Sequence, residues 1–163
     1  MNKKLSIIVP VYNEVETVLI LLNKLIKLNL YNNFTSEIII VDDNSTDGTK
    51  ELLKNLEKET PNTNLKFIYK SKNSGKGSSQ KLAIPLCTGD FTIIQDADLE
   101  YNPKDYYKLL KPFKIKNTQV VYGSRVLGRK KITFSSHFTN FSKSFRIFGN
   151  YILTKIKVRE LQL

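Results

Sequence analysis

The chain has 163 residues, 40% of them hydrophobic and 25% charged, which suits one soluble globular domain with a real core and argues against disorder. A single cysteine, Cys87, and a single histidine, His137, exclude a disulfide framework, a cysteine zinc site and a histidine cluster. Any metal would be held mainly by oxygen, as a hard cation such as Mg2+ or Mn2+ is.

The formal net charge of +11 is uneven: residues 1–100 carry 12 basic and 13 acidic side chains, residues 101–163 carry 14 and 2. A basic last third either draws polyanions and anionic membrane surfaces or is a solvated lysine-rich face. Leu5 to Val11 is an apolar run of strand length. Val15 to Leu28 follows with Val18, Leu21, Leu22, Leu25 and Ile26 at helical spacing. Glu37 to Val41 is a second β-branched run, Asp42 to Gly48 a polar turn, and Thr49 to Lys58 a helix. Lys66 to Tyr69 reads as a strand, Ser74 to Ser79 as a Gly/Ser loop, and Gln80 to Leu86 as a helix interrupted by Pro85. Phe91 to Ile94 is a fourth strand. Asn102-Pro103 is an N-cap and N1 pair opening a helix over Lys104 to Leu110, and Gln119 to Tyr122 is a fifth strand.

Short apolar runs alternating with helices predict a mostly parallel sheet flanked by helices, with ligands bound where the strands end. No stretch approaches the roughly 20 apolar residues of a membrane span, and no cleavage-site pattern follows Leu5 to Val11, so the cytoplasm is the expected compartment.

Polar clusters follow three of the strands: Pro10 to Glu14, Asp42-Asp43, and Gln95 to Glu100. One Asp after a strand is commonly a loop residue or helix cap. Several carboxylates at one edge need a cation or donor groups to neutralise them. Asp96 and Asp98, spaced i and i+2, can reach one cation, with Glu100 as a third oxygen donor. Asn73 to Ser79 completes neither a Walker A motif nor G-x-G-x-x-G, yet it can present backbone N–H groups and Lys76 to an anion at a helix start; the other reading is a flexible turn. Arg125, after the fifth strand, suits a diphosphate or the acidic cluster. Cys87 reads as core and His137 as helix surface.

The ordered set Ile8-Val9-Pro10-Val11-Tyr12-Asn13-Glu14, Ile40 to Thr49, Asn73 to Gly77, Gly89-Asp90 through Gln95 to Pro103, and Val121 to Arg125 resembles the inverting family 2 glycosyltransferases of the GT-A fold. Within them it is most similar to the dolichyl-phosphate mannosyltransferase and prenyl-phosphate glycosyltransferase branch. The resemblance covers about residues 5–128. It implies a Rossmann-like GT-A domain over residues 1–128, binding a GDP- or UDP-linked hexose. It also implies that Pro10, Tyr12, Glu14, Val41 and Asp43 line the nucleotide pocket, Asp43 on the nucleobase or ribose side. Asp96, Ala97 and Asp98 would form the metal and diphosphate site, with Mn2+ or Mg2+ and with Glu100 as a further ligand. Arg125 would contact the sugar-diphosphate. Asp96, Asp98 and Arg125 are then the expected catalytic set, and nucleic acid is not an expected partner.

Residues 129–163 read as a basic amphipathic tail and an incomplete acceptor region. Phe134, Phe138, Phe141, Phe145, Phe148 and Ile152 recur at spacings of 3 and 4, a helical stripe suited either to a membrane interface or to packing on the sheet or a partner. The interfacial reading implies a peripheral position on the cytoplasmic membrane face. The scarcity of carboxylates there favours a polyprenyl-phosphate acceptor, which needs no general base. Two other functions fit parts of the pattern. One is a truncated, non-catalytic sugar-nucleotide-binding or membrane-associated remnant. The other is a haloacid-dehalogenase-type phosphatase with Asp96 as nucleophile, which Leu99 and the acid-poor tail disfavour.

Overall fold

In the computed structural model, residues 3–30, 34–61, 63–114, 120–122 and 152–154 are described. The elements run β1 (Lys3–Val11), α1 (Val18–Ile26), β2 (Phe34–Asp42), α2 (Thr49–Glu59), β3 (Leu65–Tyr69), α3 (Lys76–Ala83), β4 (Phe91–Ile94), α4 (Tyr106–Leu110), β5 (Val120–Tyr122) and β6 (Ile152–Thr154). They form one six-stranded sheet in the order β3-β2-β1-β4-β6-β5. β1 pairs in parallel with β2 and β4, and β2 with β3. β6 is antiparallel to both β4 and β5.

The expected mostly parallel sheet is present, with one strand more than the sequence reading placed. Ile152, expected at the end of the phenylalanine stripe, opens β6 instead. An isolated three-residue strand has no period of its own, and its partners lie far away in sequence. Residues 134–148 of the stripe and His137 fall outside the described residues.

Cover on both faces explains the apolar runs Ile7–Val9 of β1 and Ile38–Val41 of β2. Leu5, Ile7, Val9 and Val11 share a buried cluster with Ile38 and Ile40, with Val18, Leu21, Leu22 and Leu25 of α1, Leu53 of α2, and Tyr106 and Leu109 of α4. Ile8, Ile39 and Val41 form a second buried cluster with Ala83 of α3 and Cys87. Burial pushes the Cys87 thiol up, in keeping with a core residue. Pro85 does end the third helix: α3 stops at Ala83 and a 3-10 turn covers Ile84–Leu86.

At the end of the strands away from the cleft described below, Glu37 is only 2% exposed. It accepts hydrogen bonds from Ser6 Oγ (2.6 Å), Thr88 N (2.6 Å), Thr88 Oγ1 (3.0 Å) and Lys66 Nζ (3.1 Å), and pairs with Lys4. Beside it Gly89 N donates to Ser6 Oγ at 2.9 Å. A Cβ at Gly89 would lie 2.7 Å from Lys4 O and 2.8 Å from Ser6 N, so β1 and the loop before β4 meet only without a side chain there. Gly89→Ala should lower the urea midpoint by the equivalent of about 1–3 kcal/mol, with the slope of the transition unchanged.

Candidate functional site

β1 runs to Val11, whereas β4 ends at Ile94, level with Ile8. The sheet therefore has a step at its carboxyl edge. The step coincides with the switch point at which β2 lies on one side of β1 and β4 on the other, where ligands bind in such sheets. A cleft of about 240 Å³ opens there, lined by Pro10, Val11, Tyr12 and Glu14 after β1, Asp43 after β2, Lys76 and Ser79 of α3, and Asp96, Ala97 and Asp98 after β4.

Side-chain bonds between two loops fix the β1 wall. Asn13 N donates to Ser45 Oγ (3.0 Å), Glu14 N to Thr49 Oγ1 (2.9 Å), Val15 N to Asp47 Oδ2 (3.1 Å), and Thr46 N to Asn13 Oδ1 (2.9 Å). Asn13 adopts φ 54°, a left-handed conformation that Asn tolerates better than most residues. The polar run Asp42 to Thr49 thus braces the loop that carries Tyr12 and Glu14. Burial works against the charge of Asp47. Hydrogen bonds from Thr49 and Val15 outweigh it and hold the carboxyl below its usual range.

Asp43 is 3% exposed. Its Oδ1 accepts Ser74 N at 3.0 Å, its Oδ2 accepts Gly75 N at 2.7 Å, and it pairs with Lys70. Burial raises the energy of its charge, but Lys70 and these two N–H groups more than compensate, so its pKa lies below the usual carboxylate range. Gly75 sits at φ 85°, which side chains disfavour, and the chain then enters α3. Asp43 therefore anchors the turn that brings Lys76 to the cleft. Its Oδ2 retains acceptor capacity.

The β4 wall is set by Gln95, which is fully buried. Its Nε2 donates to the Asp96 carbonyl (2.9 Å) and its Oε1 accepts Tyr106 OH (2.7 Å). The turn after it places Leu99 at φ 62°, in the left-handed region where a leucine is rare. Glu100 N consequently donates to Asp98 Oδ1 at 3.0 Å. Across the cleft, Lys76 Nζ lies 2.5 Å from Asp96 Oδ1.

Eight of the expected site residues meet at this cleft: Pro10, Tyr12, Glu14, Asp43, Lys76, Asp96, Ala97 and Asp98. Val41 does not line it; one step below the rim, it is fully buried in the cluster with Ile8 and Ala83. Glu100 is not among the residues that line it, and its backbone N–H donates to Asp98 Oδ1. Among the described residues no three His, Cys, Asp or Glu side chains come together in a metal-binding group. Arg125 falls outside the described residues. Val11 and Ser79 also line the cleft; both lie in motifs of the sequence but are not among the expected site residues. Ser79 is three residues after Lys76, hence on the same helical face, and that spacing could have found it. Its hydroxyl is buried and has no hydrogen-bond partner among the described residues.

Comparison with known proteins adds the following. The sequence pattern of glycosyl transferase family 2 matches residues 6–161. The dolichol-phosphate mannosyltransferase of Pyrococcus furiosus is 31% identical over 155 residues, covering 94% of this chain and 42% of that protein. The dolichyl-phosphate beta-glucosyltransferase of Dictyostelium discoideum is 33% identical over 115 residues, 66% of this chain and 35% of that one. A mannosyltransferase from Pyrobaculum calidifontis, solved in complex with GDP-Man and Mn2+, superimposes with a TM-score of 0.70 at 20% identity over 99% of this chain and 47% of its own. The chain thus spans less than half the length of each.

Proposed function

Because the chain belongs to glycosyl transferase family 2, we propose that its cleft binds a nucleotide-diphosphate hexose, GDP- or UDP-linked, for inverting transfer to a polyprenyl phosphate. The observation that carries this reading is the convergence on one step in the sheet of Tyr12 and Glu14, Asp43, Lys76, and Asp96 with Asp98. The names of the Pyrococcus and Dictyostelium relatives support a lipid-phosphate acceptor.

A divalent cation fits the donors present. Asp96 and Asp98 are hard oxygen ligands on the cleft, and a pair of carboxylates leaves coordination positions for phosphate oxygens, as Mg2+ and Mn2+ sites require. Bound there, such an ion supplies Lewis acidity for a departing nucleoside diphosphate. The Mn2+ complex of the Pyrobaculum protein supports the same assignment.

The side chains divide the remaining work. Tyr12, 46% exposed at the rim, offers an aromatic face to a base. The spare acceptor capacity of Asp43 suits the polar edge of a base or ribose. Lys76 suits the diphosphate, and Arg125 is proposed for the sugar-diphosphate. A lipid phosphate is already anionic at neutral pH, so the attack needs no carboxylate base. No helix among the described residues is long and apolar enough to cross a membrane. The proposed acceptor would place the reaction at a membrane surface, whose anionic lipids the basic composition of residues 129–163 suits.

Calorimetric titration with GDP and UDP, each with Mn2+, with Mg2+ and with EDTA, tests the reading. Binding of at least one nucleotide that requires the cation is expected; absence of binding under every condition overturns it.

A further inference from the structure

Lys76 and Asp96 join opposite walls of the cleft. Lys76 opens α3, Asp96 follows β4, and their side chains keep 52% and 20% of their exposure. Among the described residues that line the cleft, Lys76 is the one cation. Asp43 does not depend on it, since Lys70 and two backbone N–H groups already neutralise that carboxylate. The turn that carries Lys76 is therefore anchored by Asp43 independently of the Lys76–Asp96 pair. With Lys76 half-exposed, the pair is a weak one that water and other ions can compete for.

Each member also has a second use in the donor site proposed above. The Asp96 carboxylate suits a divalent cation, and the Lys76 ammonium suits a diphosphate. We propose that Lys76 is an exchangeable counter-ion that neutralises Asp96 until a nucleoside diphosphate draws it away, so that cation binding and nucleotide binding are coupled through this one lysine. The exchange conserves charge pairing. Asp96 trades an ammonium for the cation, while Lys76 trades a carboxylate for phosphate oxygens. A cation arriving alone must displace Lys76, and one arriving with a diphosphate finds it already engaged. By linkage, the cation then raises nucleotide affinity by the same factor.

The test is Mn2+ binding to the whole chain, followed by the electron paramagnetic resonance of the free ion, for wild type, Lys76→Met and Lys81→Met. Lys81 lies on the same helix, is exposed and does not line the cleft, so its variant controls for loss of one positive charge. Lys76→Met should bind Mn2+ alone about two- to fivefold more tightly than wild type, a range a partly exposed ion pair can supply. With saturating Mn2+ it should bind GDP or UDP more weakly by a similar factor. Lys81→Met should match wild type. Unchanged or weaker Mn2+ affinity in Lys76→Met, equal tightening in Lys81→Met, or no Mn2+ binding by either wild type or Lys76→Met overturns the proposal. This inference rests on the donor-site reading, and the two fail differently. Tighter Mn2+ binding by Lys76→Met with no nucleotide binding by wild type overturns the donor site and the coupling, and leaves only the ion-pair competition standing.

Discussion

Asp98→Ala should reduce nucleotide affinity in Mn2+ to the level seen in EDTA, while the unfolding free energy stays within about 0.5 kcal/mol of wild type, as for other exposed positions. Asp98 is exposed, lines the cleft and among the described residues accepts a local bond from the Glu100 N–H. In the proposed donor site it would share a cation with Asp96, and one carboxylate alone is a poor site for Mg2+ or Mn2+. Asp98→Asn keeps the hydrogen bond and removes the charge, so it should fail equally. Glu100→Ala should bind nucleotide like wild type. That contrast separates the ligand set of the folded chain from the one its sequence spacing suggested. Calorimetry on the three variants checks it, and unaltered binding by Asp98→Ala removes the cation from the site.

Glu37→Gln should destabilise the protein by about 3 kcal/mol at pH 7, far from the cleft and without effect on nucleotide binding. Burial alone would raise the pKa of this carboxyl. Hydrogen bonds from Ser6 and the Thr88 backbone, then Lys4 and Lys66, lower it from 4.5 to about 2. A folded-state value below the unfolded one makes the contribution present above pH 4.5 and lost as pH falls towards 2. The wild-type advantage over Glu37→Gln should therefore be full at pH 7 and shrink steadily through that window. Urea unfolding of both proteins at pH 7, 4 and 3 checks it. A difference that stays constant with pH would mean that packing and not charge holds Glu37 in place.

Much of the site was legible because it lies just after strands. Continuous apolar runs such as Leu5 to Val11 mark strands covered on both faces, and parallel strands send their following loops to one edge. Tyr12, Glu14, Asp43, Asp96 and Asp98 could be grouped on that ground alone. What escaped depends on conformation or on distant partners. Glu100 is absent from the cleft lining, next to a left-handed Leu99 that no spacing rule announces. Glu37 looks like the polar start of a strand, and its partners lie 29 to 51 positions away. Asp43 was read as a ligand residue. Its carboxylate also holds the turn into α3, through backbone donors that carry no side-chain signature. Val41 shares the apolar run of β2, and only the position of α3 decides that it is covered.

The wedge of β6 between β4 and β5 bears on how the chain is made. β4 meets β1 on one flank and β6 on the other, with Ile93 opposite Leu153 and Thr92 opposite Thr154. The ribosome delivers Ile94 long before Ile152. At roughly 5–20 residues per second, several seconds separate the two. Throughout that interval the nascent polypeptide presents a strand with one side unpaired, able to zip onto another copy. Synthesis itself thus opens a window for misassembly, which closes only when β6 slides into the gap.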